Sequence, residues 1–419
     1  MRIVVVGAGL MGVTSAWFLA RDGHEVTVLD QADRVAAGAS QANAGMLTPS
    51  MADPWNAPGV FMQMLQYLGK DDAPLLLRLK ALPSLLTWGP SFVAHSRPAR
   101  FHDNMARNLR LAMYSLSVMR ELRATLDLVY DQRTAGTIKV FRGARALQEG
   151  IRRCEQLASL GLIMNTLDPK ALIQLEPALS DVSTSIAGAI HFPEDESGDA
   201  RQFTEAMSRH AQQAGVDFRF AQRVTGFERK ASRVTAVVTQ NGPLPADAVV
   251  IAAGSWSPLL LAKLGQSLPV RPVKGYSVTV PFAGWTHAPR LPVVDDALHA
   301  AITPLGNRLR VAGTAEITGY DTVLTPSRIN NLFDLLLAVY PSFEPHLDRN
   351  QSTPWAGLRP VSVDGVPFIG KLGLENLYVN TGHGHLGWTL AAGSSHLLAD
   401  LMLGRQPRLD PQAYRAKRR

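Results

Sequence analysis

Three glycines near the start constrain this chain more than any other feature. Gly7-Ala8-Gly9-Leu10-Met11-Gly12 follows a short β-branched run at 3–6 and opens a stretch at 10–22 with apolar residues at helical spacing. A second β-branched run at 25–29 ends on Asp30. Strand, glycine turn, helix, strand and terminal acid form the context in which a GxGxxG sequence closes a βαβ unit around a dinucleotide. The first glycine permits the tight turn, the second lets backbone amides approach a pyrophosphate, and the third lets the helix pack closely on the sheet. Leu10 and Met11 open the helix, whose N-terminus presents partial positive charge to phosphates. Asp30, with Gln31 beside it, is placed to accept hydrogen bonds from ribose hydroxyls. The glycines also interrupt the apolar run, so the opening reads as folded protein rather than as a secretory leader.

At 419 residues the chain has room for two or three domains, and its later elements argue for one domain interrupted by another. From 54 to 95 the texture changes to Pro, Trp, Met and Leu. Core helices of a second domain fit it, and so does an apolar surface for a membrane or partner. Residues 106–128 predict a long amphipathic helix. A helix at 201–214 leads to a strand at 217–221, a meander at 223–228 and 234–240, and a buried strand at 248–252. Strands at 274–280, 300–303 and 308–313 suggest a second sheet, followed by a helix at 326–340. The chain closes with a strand at 377–380, a glycine- and histidine-rich turn, and a helix at 387–403. Dinucleotide-type elements thus stand at both ends. The expected class is α/β, a Rossmann-like dinucleotide-binding domain of 1–50, 198–270 and 355–419, with an inserted α+β substrate domain, 51–197 and 271–354, on a mixed or antiparallel sheet.

Composition excludes several alternatives. The net charge of +7, from 42 Lys and Arg against 35 Asp and Glu, includes no dense basic block, so a nucleic-acid partner is not expected. The terminal Arg415, Lys417, Arg418 and Arg419 read as a solvated tail or as a contact for anionic lipid headgroups. A lone cysteine, Cys154, allows no intramolecular disulfide and no multi-cysteine zinc site, which makes a reducing cytoplasmic compartment the default. No metal site is expected. There is no run of about 18 apolar residues, so no membrane-spanning helix is expected.

NAD and FAD share the glycine fingerprint, and the choice between them comes from later in the chain. A strand at 249–252 ends in Ala253-Gly254, which suits a flavoprotein whose late strand passes close to the dinucleotide. Thr381-Gly382-His383-Gly384-His385-Leu386-Gly387-Trp388 is a second glycine turn opening a helix, with amides able to stabilise charge on a reduced isoalloxazine.

Five motifs in order, GASQANAGMLTPSMADPWNAPGV at 38–60, FPEDESGDARQFT at 192–204, PVKGYSVTVP at 272–281, WAGLRPVSVDGVPFIG at 355–370 and NTGHGHLGWTLAAGS at 380–394, resemble the bacterial D-amino acid dehydrogenases of the FAD-dependent D-amino acid oxidase superfamily. The resemblance implies non-covalent FAD. Gly7, Gly9, Gly12 and Asp30 would hold its ADP half, with Ser40 near the phosphates and Val224 meeting adenine through its backbone. Asn43, Ala44, Gly45 and Met46 would run along the flavin ring, and Gly384, Leu386, Gly387, Trp388 and Thr389 would close over its pyrimidine side. Arg359 matches the arginine that binds the substrate carboxylate, a role its planar two-pronged guanidinium suits.

The chain also departs from that pattern. Where related oxidases place a carboxylate-binding tyrosine, it has Ala301, so Tyr276 becomes the motif-borne candidate to help Arg359. Where the dehydrogenases carry threonine, it has His385, which either contacts the substrate or caps backbone carbonyls. His383, His299 and Trp355 are further pocket candidates. Asp295 and Asp296 would diverge across a strand rather than form a dyad, and Met46, Met51, Met62 and Met64 read as core. Cys154 lies far in sequence from the flavin motifs. The implied activity is oxidative deamination of D-amino acids by hydride transfer to FAD, with electrons passed to a quinone or another carrier. The apolar 54–95 region and basic tail are candidates for a peripheral contact with the inner face of the cytoplasmic membrane. Rival readings are a D-proline or hydroxy-D-proline dehydrogenase, and a flavin-holding subunit inactive without partners.

Overall fold

The computed structural model of the protein describes residues 1–60, 62, 75–78, 81–282 and 284–418. Two sheets organise it. The first has six strands in the order Phe368–Lys371, Leu377–Thr381, Ala248–Ile251, Arg2–Val6, Glu25–Leu29 and Asp217–Arg219, all parallel except the antiparallel edge strand Phe368–Lys371. Its central strands Arg2–Val6 and Ala248–Ile251 are rich in valine and isoleucine because both faces are covered. On one face, Ile3, Val5, Val26 and Val28 pack under the helices Leu10–Arg21, Pro98–Thr125, Ala200–Gln213 and Gly387–Leu403. On the other, Val4, Val6, Val249 and Ile251 pack with residues of the meander Val224–Lys230, Arg233–Thr239 and Gly242–Pro245. Gly393 lets two of the helices touch, since a Cβ there would fall 2.8 Å from Ser115 Cα.

The second sheet has nine strands among the described residues. Its main path runs Thr353–Ser362, Val270–Pro281, Arg308–Ile317, Ala300–Leu305, Val293–Asp295, Thr137–Phe141, Gly188–Phe192 and Asn165–Leu167, and Leu75–Leu77 pairs with Arg308–Ile317. Most of its pairs are antiparallel. One face is closed by helix Pro326–Val339 over Val278, Ile302 and Val311. The other is tied to the glycine-rich segment after Asp30: Ser277 Oγ donates to the Ala42 carbonyl at 2.6 Å, Thr303 Oγ1 to that of Ala44 at 2.6 Å, and Arg310 Nη1 to that of Asn43 at 2.9 Å. Residues 42–46 are therefore the seam between the sheets.

The Rossmann-like sheet with an inserted mixed sheet is the architecture expected. Strand Thr353–Ser362, most of it in the segment assigned by sequence to the dinucleotide unit, pairs with Val270–Pro281 along nearly its whole length and so belongs to the second sheet. The long helix runs Pro98–Thr125, not 106–128, because Pro98 fits the first turn. Assigned by sequence to the inserted domain, it buries Leu111, Ala112, Leu116 and Met119 in the core of the first. The basic tail is not solvated throughout: the Arg418 side chain is 6 % exposed, binds both Asp364 oxygens at 2.6 and 2.7 Å, and lies over the Phe368 ring. Much of the 54–95 region falls outside the described residues. Within it Trp88 and Phe92 are buried while Leu82 and Leu86 face solvent. Met46 is buried and Met62 exposed, contrary to a core role for the latter, and Met64 is outside the described residues.

Candidate active site

A cleft of about 600 Å³ opens where the carboxyl ends of the parallel strands meet the second sheet. At one end lie Gly7, Gly9, Leu10, Met11, Asp30, Gln31, Ser40 and Val224. The glycines act as their positions require. A Cβ on Gly12 would overlap the Gly7 carbonyl oxygen, while Gly7 sits at φ +112° against the Ala252 backbone. Ser40 Oγ accepts from Leu10 N at 3.0 Å and satisfies one free amide of the helix start. Asp30 accepts from Ala8 N at 2.6 Å and Ala32 N at 2.8 Å, one on each oxygen, leaving acceptor capacity toward the cleft.

Farther along, Asn43, Ala253, Gly254, Thr381, His383, Gly384, His385, Gly387 and Trp388 line the cleft opposite Trp355–Pro360. Gly12, Ala44, Gly45, Met46, Leu386 and Thr389 do not themselves line the cleft. Thr389 Oγ1 accepts from Thr48 N at 3.0 Å, Asn43 Oδ1 accepts from Gly45 N at 3.0 Å, and Gly45 adopts φ +75° to turn the chain. Trp388 Nε1 donates to the Gly198 carbonyl at 3.0 Å and so holds the second motif against the turn.

Arg359 lies on strand Thr353–Ser362 on the face that also carries Trp355 and Gly357, and its guanidinium lies over Gly275, where a Cβ would overlap it. It has no ion pair among the described residues, and Nη1 is buried without a hydrogen-bond partner. Burial without a counter-ion pulls its pKa down to about 10. An arginine so placed is a preformed seat for a carboxylate. His383 is buried, with Nε2 3.0 Å from Ser394 Oγ and Nδ1 unpartnered; burial lowers its pKa to about 3. His385 opens on the cleft. The ring is exposed to that space, yet crowding by the surrounding protein, then the charge of Arg359, lowers its pKa to about 4 against a backbone hydrogen bond to Met51.

Tyr276 does not join this group. Neighbouring strand residues face opposite ways, and Tyr276 lies on the face away from Gly275 and Arg359. There its hydroxyl donates to Glu316 Oε2 at 2.6 Å, and Lys274 Nζ lies 3.1 Å from the same oxygen. Trp55 takes the place expected of it: the indole is 5.3 Å from the Arg359 guanidinium and stacks on His385 at 5.5 Å. Trp55 stands within the 38–60 motif, but nothing local marks it out from the other aromatic residues. Arg310, also missed, is buried between Thr279, Asn43 and Asp199, and two of these three partners, Asn43 and Asp199, lie more than 100 residues away in the chain. His299 is exposed and outside the cleft, Asp295 and Asp296 pair separately with Arg142 and Lys139, and Cys154 is buried in another core cluster.

A family model described as FAD dependent oxidoreductase matches residues 2–401. The chain is 41 % identical to a D-amino acid dehydrogenase of Paramagnetospirillum magneticum, over 97 % of this chain and 96 % of that one. It is 42 % identical to another of Cereibacter sphaeroides, over 98 % and 93 %. Among solved structures, glycine oxidase from Geobacillus kaustophilus superposes with a TM-score of 0.78 at 24 % identity, covering 100 % of this chain and 99 % of that one, a likeness of fold.

Proposed function

The chain belongs to the FAD-dependent oxidoreductase family, and from that premise we propose that it oxidises D-amino acids to imino acids, which hydrolyse to 2-oxo acids and ammonia. The observation that carries this reading is Arg359, a part-buried cation with no counter-ion among the described residues, facing the cleft that the dinucleotide fingerprint opens.

The residues present fit FAD. Glycine at 7 and 12 is required by the backbone contacts there, the helix start has no acidic residue in its first turn, and Asp30 keeps free lone pairs at the cleft's far end. Gly7, Gly9, Ser40 and Asp30 would hold the ADP half, and Asn43, Ala253, Gly254, Gly384 and Gly387 the flavin half. When bound, FAD supplies the hydride acceptor. Arg359 grips the substrate carboxylate with two parallel hydrogen bonds and so fixes the direction of the Cα–H bond. Of the charged residues lining the cleft, Asp30 alone is acidic among the described residues, and it sits at the ADP end. The amine therefore reacts in its neutral form, having lost its proton to water before binding. His383 and His385, neutral at physiological pH, add no competing charge.

For reoxidation the reading includes a quinone-class acceptor met at a membrane surface, supported by Leu86 at 75 % exposure and Leu82 at 42 % on the 82–86 segment. No helix among the described residues is long and apolar enough to cross a membrane. Vesicle co-sedimentation tests the contact, and protein left wholly in the supernatant would count against it. The central test is the visible spectrum of the purified protein under anaerobic conditions. Flavin bands should bleach with D- but not L-enantiomers; a flavin that no D-amino acid reduces overturns the substrate assignment.

A further inference from the structure

Around Arg359 the cleft is walled by rings and, among the described residues, by no second charge. Its charged lining residues, among those described, are Asp30, Arg223, Lys263 and Arg359. The first three cluster at the other end, where Gln222 N donates to the Asp30 carbonyl at 2.8 Å and the Lys263 ammonium to that of Thr225 at 2.9 Å. Near Arg359 stand Trp355, whose indole folds over Gly357, and His385. Trp55 braces His385: the rings are nearly parallel, 15° apart, and the same indole contacts the guanidinium and the apolar cluster of Val273 and Val361. The imidazole is exposed to the cleft, where crowding by the surrounding protein and the Arg359 charge both oppose its protonation.

We propose that His385, braced by Trp55, and Trp355 form an uncharged aromatic compartment for the substrate's side chain, so that the enzyme takes D-amino acids with apolar, preferentially aromatic, side chains. The proposal rests on the reading of Arg359 as the carboxylate anchor. A charged side chain entering this space gives up hydration and finds no partner, whereas a ring gains packing against other rings. His385→Thr removes the ring while keeping a polar group.

The test uses the FAD-loaded protein in anaerobic flavin reduction with D-phenylalanine, D-leucine, D-alanine, D-arginine and D-glutamate. Equilibrium binding of benzoate and propionate, read as a shift of the flavin spectrum, provides a second readout. D-Phenylalanine and D-leucine should exceed D-arginine and D-glutamate in kcat/KM by about 100-fold. His385→Thr should lower the D-phenylalanine to D-alanine ratio, and the benzoate to propionate affinity ratio, by roughly fivefold. A charged substrate within about tenfold of D-phenylalanine overturns the compartment, as do ratios unchanged in His385→Thr. Should that variant fail to fold, the wild-type profile and the benzoate to propionate comparison still decide. If carboxylates bind and D-alanine reduces the flavin without side-chain discrimination, the compartment alone fails; if no carboxylate binds, the anchor fails and the compartment with it.

Discussion

Replacing Arg359 with methionine separates a binding role from a structural one. The guanidinium has no counter-ion among the described residues, and burial lowers its pKa from 12.5 to about 10. That places a penalty on the order of 3 kcal/mol on the charged form in the ligand-free protein. In the unfolded chain the group keeps its ordinary value, so the penalty is complete at any pH below about 10 and fades above it, as the folded guanidinium loses its proton. Methionine keeps the apolar stem and strands no buried partner, unlike the breaking of a buried ion pair, which costs about 3–5 kcal/mol. Arg359→Met should therefore leave Tm at pH 7 unchanged or raise it, with flavin content intact. Two charge-assisted hydrogen bonds to the substrate carboxylate, worth about 1.5–3 kcal/mol each, are lost, so kcat/KM should fall roughly 10²- to 10⁴-fold. Calorimetry and steady-state assays with an artificial electron acceptor measure both. A clear drop in Tm, or kcat/KM within about threefold of wild type, would refute the reasoning.

Gly275→Ala, whose Cβ would overlap the Arg359 guanidinium, should displace that group and raise KM while flavin content holds; unchanged KM would place the anchor elsewhere. Arg418→Ala leaves Asp364 buried and unpaired, and should cost about 3–5 kcal/mol in urea unfolding at pH 7. Because the pair lowers the Asp364 pKa, that stabilisation should diminish in acid as the carboxylate protonates. Burial raises Asp195 to about 7, so the folded state binds an extra proton and stability should decline as pH rises toward 7; Asp195→Asn should flatten this slope. Log kcat/KM should climb with pH as the substrate's ammonium deprotonates, with no inflection from His383 or His385, whose pKa values near 3 and 4 keep them neutral.

The sequence by itself determined the elements whose information is local. Gly7, Gly9, Gly12 and Asp30 lie within 24 residues and serve one turn, so their spacing states the geometry they adopt. Hydrophobic runs named the central strands because residues buried on both faces must be apolar wherever the sheet lies. The tertiary structure decided what depends on register and on distant partners. A strand's pleat sends alternate residues to opposite faces, which put Tyr276 with Glu316 and left Arg359 to Trp55. The tail's basic character could not tell solvent from a berth on Asp364, 54 residues earlier in the chain. Nor could composition show that strand Thr353–Ser362, beside a dinucleotide segment in the chain, would join the other sheet, because strand pairing is chosen by backbone hydrogen bonds and packing across the whole fold.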